Sequence, residues 1–306
     1  MKELYSISGL SKQALFKYRK RLNDTSIVRR QVLEECNRIR KNHKRMSCRR
    51  MYWRSSVPVG RDIFEQIGFA NGYKIQVKRK TEKTTWSQTH EVYDNLIEGR
   101  TINGINQIFQ SDIFYLKVEE KNYYGVTIID VYSRRLLAVN ISTTLAAIEN
   151  IKALQQVIRV RKNQSLKDCI FHSDRGSQYI SNAHKQLLKD QQMIPSMCKL
   201  PQENAYVERV QGTLKHEYLF EYSLTCEQIQ KQINHIMYCY NHERPHTQLG
   251  NKTPIEFENY VQQLVEKDRP QLAIYQWSNP LLTKKPVANK KEKRTKKEKN
   301  YTTTNY

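Results

Sequence analysis

The 306-residue chain carries 52 Lys and Arg against 30 Asp and Glu, a formal net charge of +22 and a pI of about 9.7. Such a surplus repels itself unless a polyanion neutralises it, so nucleic acid is the default partner, and 38% hydrophobic residues with 19 tyrosines argue against wholesale disorder. Six scattered cysteines without a Cys-x-x-Cys pair leave zinc fingers and a disulfide framework unsupported; with no apolar run of membrane-spanning length and no signal-peptide order, no membrane partner and a cytoplasmic, nucleoid-associated location are expected.

Residues 1–80 read as a small, basic, helix-turn-helix-like DNA-binding region. Two short helices around a turn are expected up to about residue 22. Gly9 breaks the pattern, Ser11 is the candidate N-cap, and Ala14, Leu15 and Tyr18 recur at helical spacing above Lys12, Lys17 and Arg21. A separate helix over residues 26–43 sets Val28, Val32, Cys36 and Ile39 on one stripe. Residues 44–53 interleave basic and aromatic side chains, a mixture suited to phosphate contacts and packing on sugar or base. Arg49 and Arg50 there, with Lys12, Lys17 and Arg21, are the candidate DNA contacts of this region. A turn at Pro58-Val59-Gly60 precedes a helix over 61–69 that stops at Asn71-Gly72, and a basic strand-like piece covers 73–80. Residues 81–106 show no period and read as a linker crossing the surface of the next domain.

Residues 107–222 change grammar. Strands are expected over 108–118, 123–131 and 136–141, with turn signals at Lys121-Asn122 and Ser133-Arg134. A helix over 145–161, a strand over 169–172, a helix over 181–191, a strand over 193–197 and a helix carrying Glu208 follow. A three-strand meander followed by α-β-α-β-α is the order of an RNase H-like α/β core: a five-stranded mixed sheet with flanking helices, the first strand beside the fourth. Residues 223–282 form a helical extension, with a helix over 228–240 and another restarting at Thr253 as N-cap and Pro254 at its first position. Residues 283–306 hold a lysine-rich run that cannot bury a core and are expected to be a disordered basic tail.

Three acids stand where folding alone does not favour a carboxylate. Asp112 lies in an apolar strand with no basic residue within four positions. Asp174 ends a strand in Asp174-Arg175-Gly176, at the carboxyl edge where α/β sheets place ligands. Glu208 sits on a helix two turns before Lys215, so the two share a face, while Val207, Val210 and Leu214 face the sheet. Three carboxylates suit hard, oxygen-ligated cations, and with nucleic acid as partner they point to two-metal phosphoryl transfer. Lys215 is then placed to meet a DNA phosphate. His172 is expected to be a buried support for the Asp174 turn, Asp130 to lie near Arg134 or Arg135, and His242 and His246 to pack without a metal.

These residues carry a resemblance. Asp112-Ile113-Phe114-Tyr115, the run from Tyr124 to Arg134, His172-Ser173-Asp174-Arg175-Gly176-Ser177-Gln178-Tyr179, and Asn204-Ala205-Tyr206-Val207-Glu208 through Lys215 match successive pieces of one family. So do Tyr240-Asn241-His242-Glu243-Arg244-Pro245-His246, Leu249-Gly250 and Thr253-Pro254. The chain resembles the second-frame (OrfB) transposases of insertion-sequence family three, whose core is of the D-D-E retroviral-integrase type. The resemblance implies that Asp112, Asp174 and Glu208 are catalytic and bind Mg²⁺ or Mn²⁺, as two ions. It implies nicking at element ends and joining of the freed 3′-hydroxyl to target DNA, a first-frame transposase product as partner, and a homo-oligomer on DNA.

Two other readings of the residues stay open at this level. One is a catalytically silent, transposase-derived DNA-binding regulator. The other is an RNase H-type nuclease, which would keep the acids but would not need the basic helical region.

Overall fold

The computed structural model describes residues 11–75, 93–219, 225 and 227–274. The first elements among the described residues are three helices: α1 (Lys12–Asn42), α2 (Cys48–Arg54) and α3 (Arg61–Ala70). Ser11 caps α1, its hydroxyl accepting the Ala14 amide at 3.1 Å. The break expected near residues 22–26 is absent, and α1 runs unbroken for 31 residues. Asn23, Asp24, Thr25 and Ser26 are weak helix formers, yet ending and renucleating a helix costs more than carrying them. Val32, Cys36 and Ile39 on its stripe are buried with Met46, Cys48, Met51 and Phe64, a core that each helix helps to close. No strand forms over 73–75, and residues 76–92, which hold the rest of the expected strand-like piece and much of the expected linker, lie outside the described residues, as do 1–10 and the basic tail.

A two-residue strand, β1 (Thr101–Ile102), precedes the main sheet. That sheet comprises β2 (Ile108–Val118), β3 (Lys121–Asp130), β4 (Leu136–Ser142), β5 (Ile170–Ser173) and β6 (Ile194–Met197), in the order β4-β3-β2-β5-β6. β2, β3 and β4 form the antiparallel meander, and β5 and β6 run parallel to β2. The first turn falls on Glu119 and Glu120, at φ 47° and 65°, rather than on Lys121-Asn122. Two adjacent residues at positive φ match the twist of a two-residue hairpin, so Lys121 and Asn122 join the strand instead.

Side-chain alternation splits the core between the two faces of the sheet. Val126 and Ile128 pack with Leu154, Val157 and Leu188 of α4 (Ala147–Val160) and α5 (Asn182–Asp190). On the other face, Phe114, Leu116 and Ile129 meet Val207, Val210 and Leu214 from α6 (Ala205–Thr213) and the π-helical turn that continues it, Leu214–Leu219. Each fully buried side chain of this size contributes about 1.5–3 kcal/mol. Helices α7 (Ile229–Tyr238) and α8 (Pro254–Gln262) complete the structure, the first running into a π-helical turn, Cys239–Glu243. Thr253 caps α8 in a reciprocal box with Glu256.

Long-range polar contacts tie these parts together. β7 (Leu272–Ala273) pairs antiparallel with β1. Asp130 ends β3 beside Arg135, as expected, its amide donating to the Arg135 carbonyl at 2.9 Å, while its carboxylate meets Arg161 at 3.4 Å; Arg161 also grips Glu258 of α8, at 2.5 and 2.8 Å, and Arg135 holds Glu258 at 2.6 Å. A carboxylate with no exposure requires a cation that can follow it inside, and Arg161 at the end of α4 is itself 1% exposed. Among the described residues no helix is long and apolar enough to cross a membrane.

Candidate active site

β2 and β5 lie side by side with Ser111 opposite Ser173, so the next residues, Asp112 and Asp174, stand at neighbouring positions where β5 ends. Asp174 begins a tight turn in which its Oδ1 accepts the Gly176 amide at 3.1 Å. A Cβ at Gly176 would come within 2.7 Å of Gln178 Oε1 and 3.1 Å of the Asp174 carboxylate, so a larger residue there would displace those side-chain ends. The turn is anchored to the next segment: Cys198 N–H donates to the Ser173 carbonyl at 2.9 Å, and Arg175 Nε to the Cys198 carbonyl at 3.0 Å. His172 is fully buried, its Nδ1 is 2.9 Å from Ser196 Oγ, and burial pushes its pKa down to about 4, so it links β5 to β6 as a neutral support.

Glu208 is brought in from a helix that the central strand holds by its end. The Gln110 side chain, on β2, accepts the Val207 amide at 3.1 Å and donates to the Glu203 carbonyl at 3.0 Å. Asn204 donates to the Ser111 carbonyl at 3.0 Å. Val207 N–H is one of the amide groups that a helix start leaves without an internal partner, so Gln110 both caps α6 and fixes its distance from β2. Glu208 sits in the first turn, where the helix dipole favours an acid. Neither Gln110 nor Asn204 stood out in the sequence. A glutamine inside an otherwise apolar strand was the available signal.

The three carboxylates share one electrostatic environment. Burial, then Asp174 and Glu208, push the Asp112 pKa up to about 7, against the pull of Lys215. Burial also raises Asp174 and Glu208. Lys215 lies on the π-helical turn after α6, with its Nζ 5.6 Å from the centre of the Phe114 ring; burial lowers its pKa and Asp112 opposes the shift. Tyr179 closes the site from beneath, its hydroxyl 2.9 Å from Ser111 Oγ. The donor set fits a divalent cation: oxygen ligands only, near enough for Asp174 and Glu208 to raise the pKa of Asp112, with a single lysine nearby. The carboxylates are not drawn as tightly together as His43, Cys239 and Glu243, whose donor atoms all lie within 4.8 Å of one another. Asp112 and Asp174 are half-buried, while Glu208 is exposed.

The other expected contacts lie elsewhere. Lys12 and Lys17 are exposed on α1, and the Arg21 side chain falls outside the described residues. Arg49 is exposed and pairs with Glu65 at 3.3 Å. Arg50 pairs through Nη1 with Glu217 at 2.8 Å, an ion pair between the helical region and the core, and stays partly exposed. A cleft of about 1010 Å³ lies beside α6, lined by Arg134, Tyr206, Arg209, Glu217 and Arg244 among others. Arg134 stacks there on Tyr206, 4.1 Å from its ring centre. His246 lies against Arg244, and His242 stacks on Tyr238 at 4.6 Å.

Two integrase core domain families match the chain, over residues 103–200 and 191–254. Transposase InsF of insertion sequence IS3A from Escherichia coli (strain K12) is 32% identical over 195 residues, 61% of this chain and 67% of that protein. The 31 kDa protein of insertion element IS600 from Shigella sonnei is 28% identical over 216 residues, 69% of this chain and 79% of that protein. Among solved structures, the HTLV-2 integrase catalytic core domain in complex with magnesium is similar at 20% identity and a TM-score of 0.42, over 51% of this chain and 97% of that one.

Proposed function

The chain belongs to the transposase family of IS3-type insertion sequences, and on that premise we propose that it cuts DNA at element ends and joins the freed 3′-hydroxyl to target DNA. Asp112, Asp174 and Glu208 are the catalytic acids of this reading, and they would hold Mg²⁺ or Mn²⁺, as two ions. Bound there, the ions would activate the attacking oxygen and stabilise the leaving oxygen of an in-line displacement at phosphorus. The observation that carries the reading is the placement of Asp112 on β2 and Asp174 just past the end of the neighbouring parallel strand β5, with a third acid on a helix held to β2 by Gln110 and Asn204.

The chain's own residues have distinct tasks. Asp112, in the strand interior, fixes the site's position, and the Gly176 amide orients Asp174. Glu208, exposed, adapts as DNA arrives. Lys215 meets a phosphate beside the scissile bond, backed by Phe114. In cleavage, water adds to phosphorus and the 3′-oxygen leaves; in joining, that 3′-hydroxyl attacks a target phosphate and expels another 3′-oxygen. No serine, tyrosine or cysteine nucleophile takes part, so no covalent protein intermediate forms. Exposed Lys12, Lys17 and Arg49 help to hold DNA, and the net charge of +22 favours it over the length of the chain. DNA ends, target DNA, a first-frame product and a second copy of this chain are the partners of the reading.

The test is metal-dependent joining of end-sequence DNA by Asp112→Asn, Asp174→Asn and Glu208→Gln. Each variant should bind DNA and fail to join it; joining retained by any one of them removes that acid from the site.

A further inference from the structure

A second cluster of metal-ligand types lies away from the acids, where the N-terminal helices meet the C-terminal extension. His43 closes α1 and is 4% exposed. Its Nε2 is 2.8 Å from Glu243 Oε2, and its Nδ1 is 2.9 Å from the Tyr218 hydroxyl. Cys239, fully buried, brings its sulfur within 4.8 Å of both the His43 and Glu243 donor atoms. His235 Nε2 lies 3.5 Å from the same sulfur. We propose that His43, Cys239 and Glu243 bind one zinc ion that clamps the N-terminal helices to the C-terminal extension, with His235, exposed and outside that triad but 3.5 Å from the Cys239 sulfur, turning in as the fourth ligand.

The chemistry and the spacing both favour zinc. One thiolate, two imidazoles and one carboxylate are ligands that zinc takes in tetrahedral sites. With Zn–S about 2.3 Å and Zn–N about 2.0 Å, tetrahedral geometry sets sulfur and nitrogen about 3.5 Å apart. The Cys239–His235 separation is 3.5 Å, while the His43–Glu243 pair, at 2.8 Å, would open by about half an ångström as metal replaces the shared proton. Binding therefore releases the Cys239 thiol proton, while the ring proton of the neutral His43 passes from Nε2 to Nδ1, on the side of Tyr218. Tyr218 supplies what a metal-bound imidazole needs on its other nitrogen, a hydrogen-bond partner that fixes ring and tautomer.

Local backbone geometry serves the same cluster. His235, Cys239 and Glu243 follow at steps of four along one helix, which widens to a π-helical turn at Cys239. Tyr218 also belongs to a π-helical turn. Such turns gather at functional sites because the wider winding re-aims side chains. The only metal-type triad so compact among the described residues is therefore built from segments two hundred positions apart.

The test uses the full chain, dialysed with zinc and then gel-filtered, with excess magnesium present to occupy oxygen-only sites. One zinc per chain should remain by elemental analysis. Cobalt in its place should give the intense near-ultraviolet band of a thiolate ligand. Cys239→Ser should abolish that band, and Glu243→Gln, which conserves shape, should weaken zinc binding about tenfold or more. Circular dichroism of both variants identifies a misfolded one, in which case Glu243→Gln alone decides. No retained zinc, a cobalt spectrum without the thiolate band, or a band that persists in folded Cys239→Ser each overturns the proposal.

Discussion

The Gln110 side-chain oxygen accepts the Val207 amide at 3.1 Å, across the gap between the central strand and the helix that carries Glu208. Its amide nitrogen donates to the Glu203 carbonyl at 3.0 Å, so one buried side chain satisfies both ends of the turn that leads into the helix. Gln110→Ala leaves both groups unpaired inside the protein and should cost about 2–4 kcal/mol in urea unfolding. Joining activity should fall at least tenfold under conditions where the variant is folded, because Glu208 loses its fixed distance from Asp112. Normal joining by a folded Gln110→Ala protein would show that this bridge does not position the site.

Glu217 accepts from Arg244 Nε and Nη2, at 2.8 and 2.9 Å, and from Arg50 Nη1 at 2.8 Å. Arg244 and Arg50 hold its carboxyl below the ordinary value of 4.5, although burial works the other way. Because the folded pKa is depressed, the stabilisation is complete above the unfolded carboxyl pKa and is lost as pH falls through the folded one. Glu217→Gln should be destabilised by about 3 kcal/mol at pH 7, since it leaves the buried Arg244 guanidinium and the half-buried one of Arg50 short of a partner. The gap from the unaltered protein should narrow below about pH 4.5. A gap independent of pH in urea titrations would contradict this.

Gly125 on β3 faces Phe114 on β2, and an added Cβ would come within 2.3 Å of the Phe114 ring and 2.9 Å of Ile141. Gly125→Ala should therefore lower stability by about 1–3 kcal/mol and push Phe114 from beneath Lys215. Thermal melting reads the first effect. If the melting temperature is unchanged, the sheet yields more easily than its close packing implies.

Lys215→Gln should weaken binding of end-sequence DNA and lower the slope of log K against log salt by about one, the signature of one lost phosphate contact. Folding should be little changed, because Lys215 makes an aromatic contact rather than a buried ion pair. An unaltered salt slope would place Lys215 away from the phosphate backbone.

Much of this architecture can be read in the sequence because its signals are local. β2 and its neighbours alternate or run apolar, Ser11 and Ser181 cap helices through their hydroxyls, and Thr253-Pro254 starts α8. The acids were visible because Asp112 and Asp174 break apolar strands. What could not be read depends on residues far apart in the chain. Arg161 lies 31 positions from Asp130 and 97 from Glu258, so no periodicity announces the cluster. The pairing of Arg50 with Glu217, 167 positions later, gives no local signal either. His43 and Cys239 are each unremarkable in sequence, and only the packing of two distant helix ends brings them together.

The short pairing of Thr101–Ile102 with Leu272–Ala273, extended by the Ile274 amide to the Arg100 carbonyl at 2.7 Å, sets the entrance and exit of the core side by side. Between them the chain describes a closed circuit. A bridge of a few residues could join these points, and new termini could be opened at a surface turn such as Glu119-Glu120 without cutting the sheet. A force pulling on the two flanks would load this small zipper first, shielding the strands that carry Asp112 and Asp174 until it gives way.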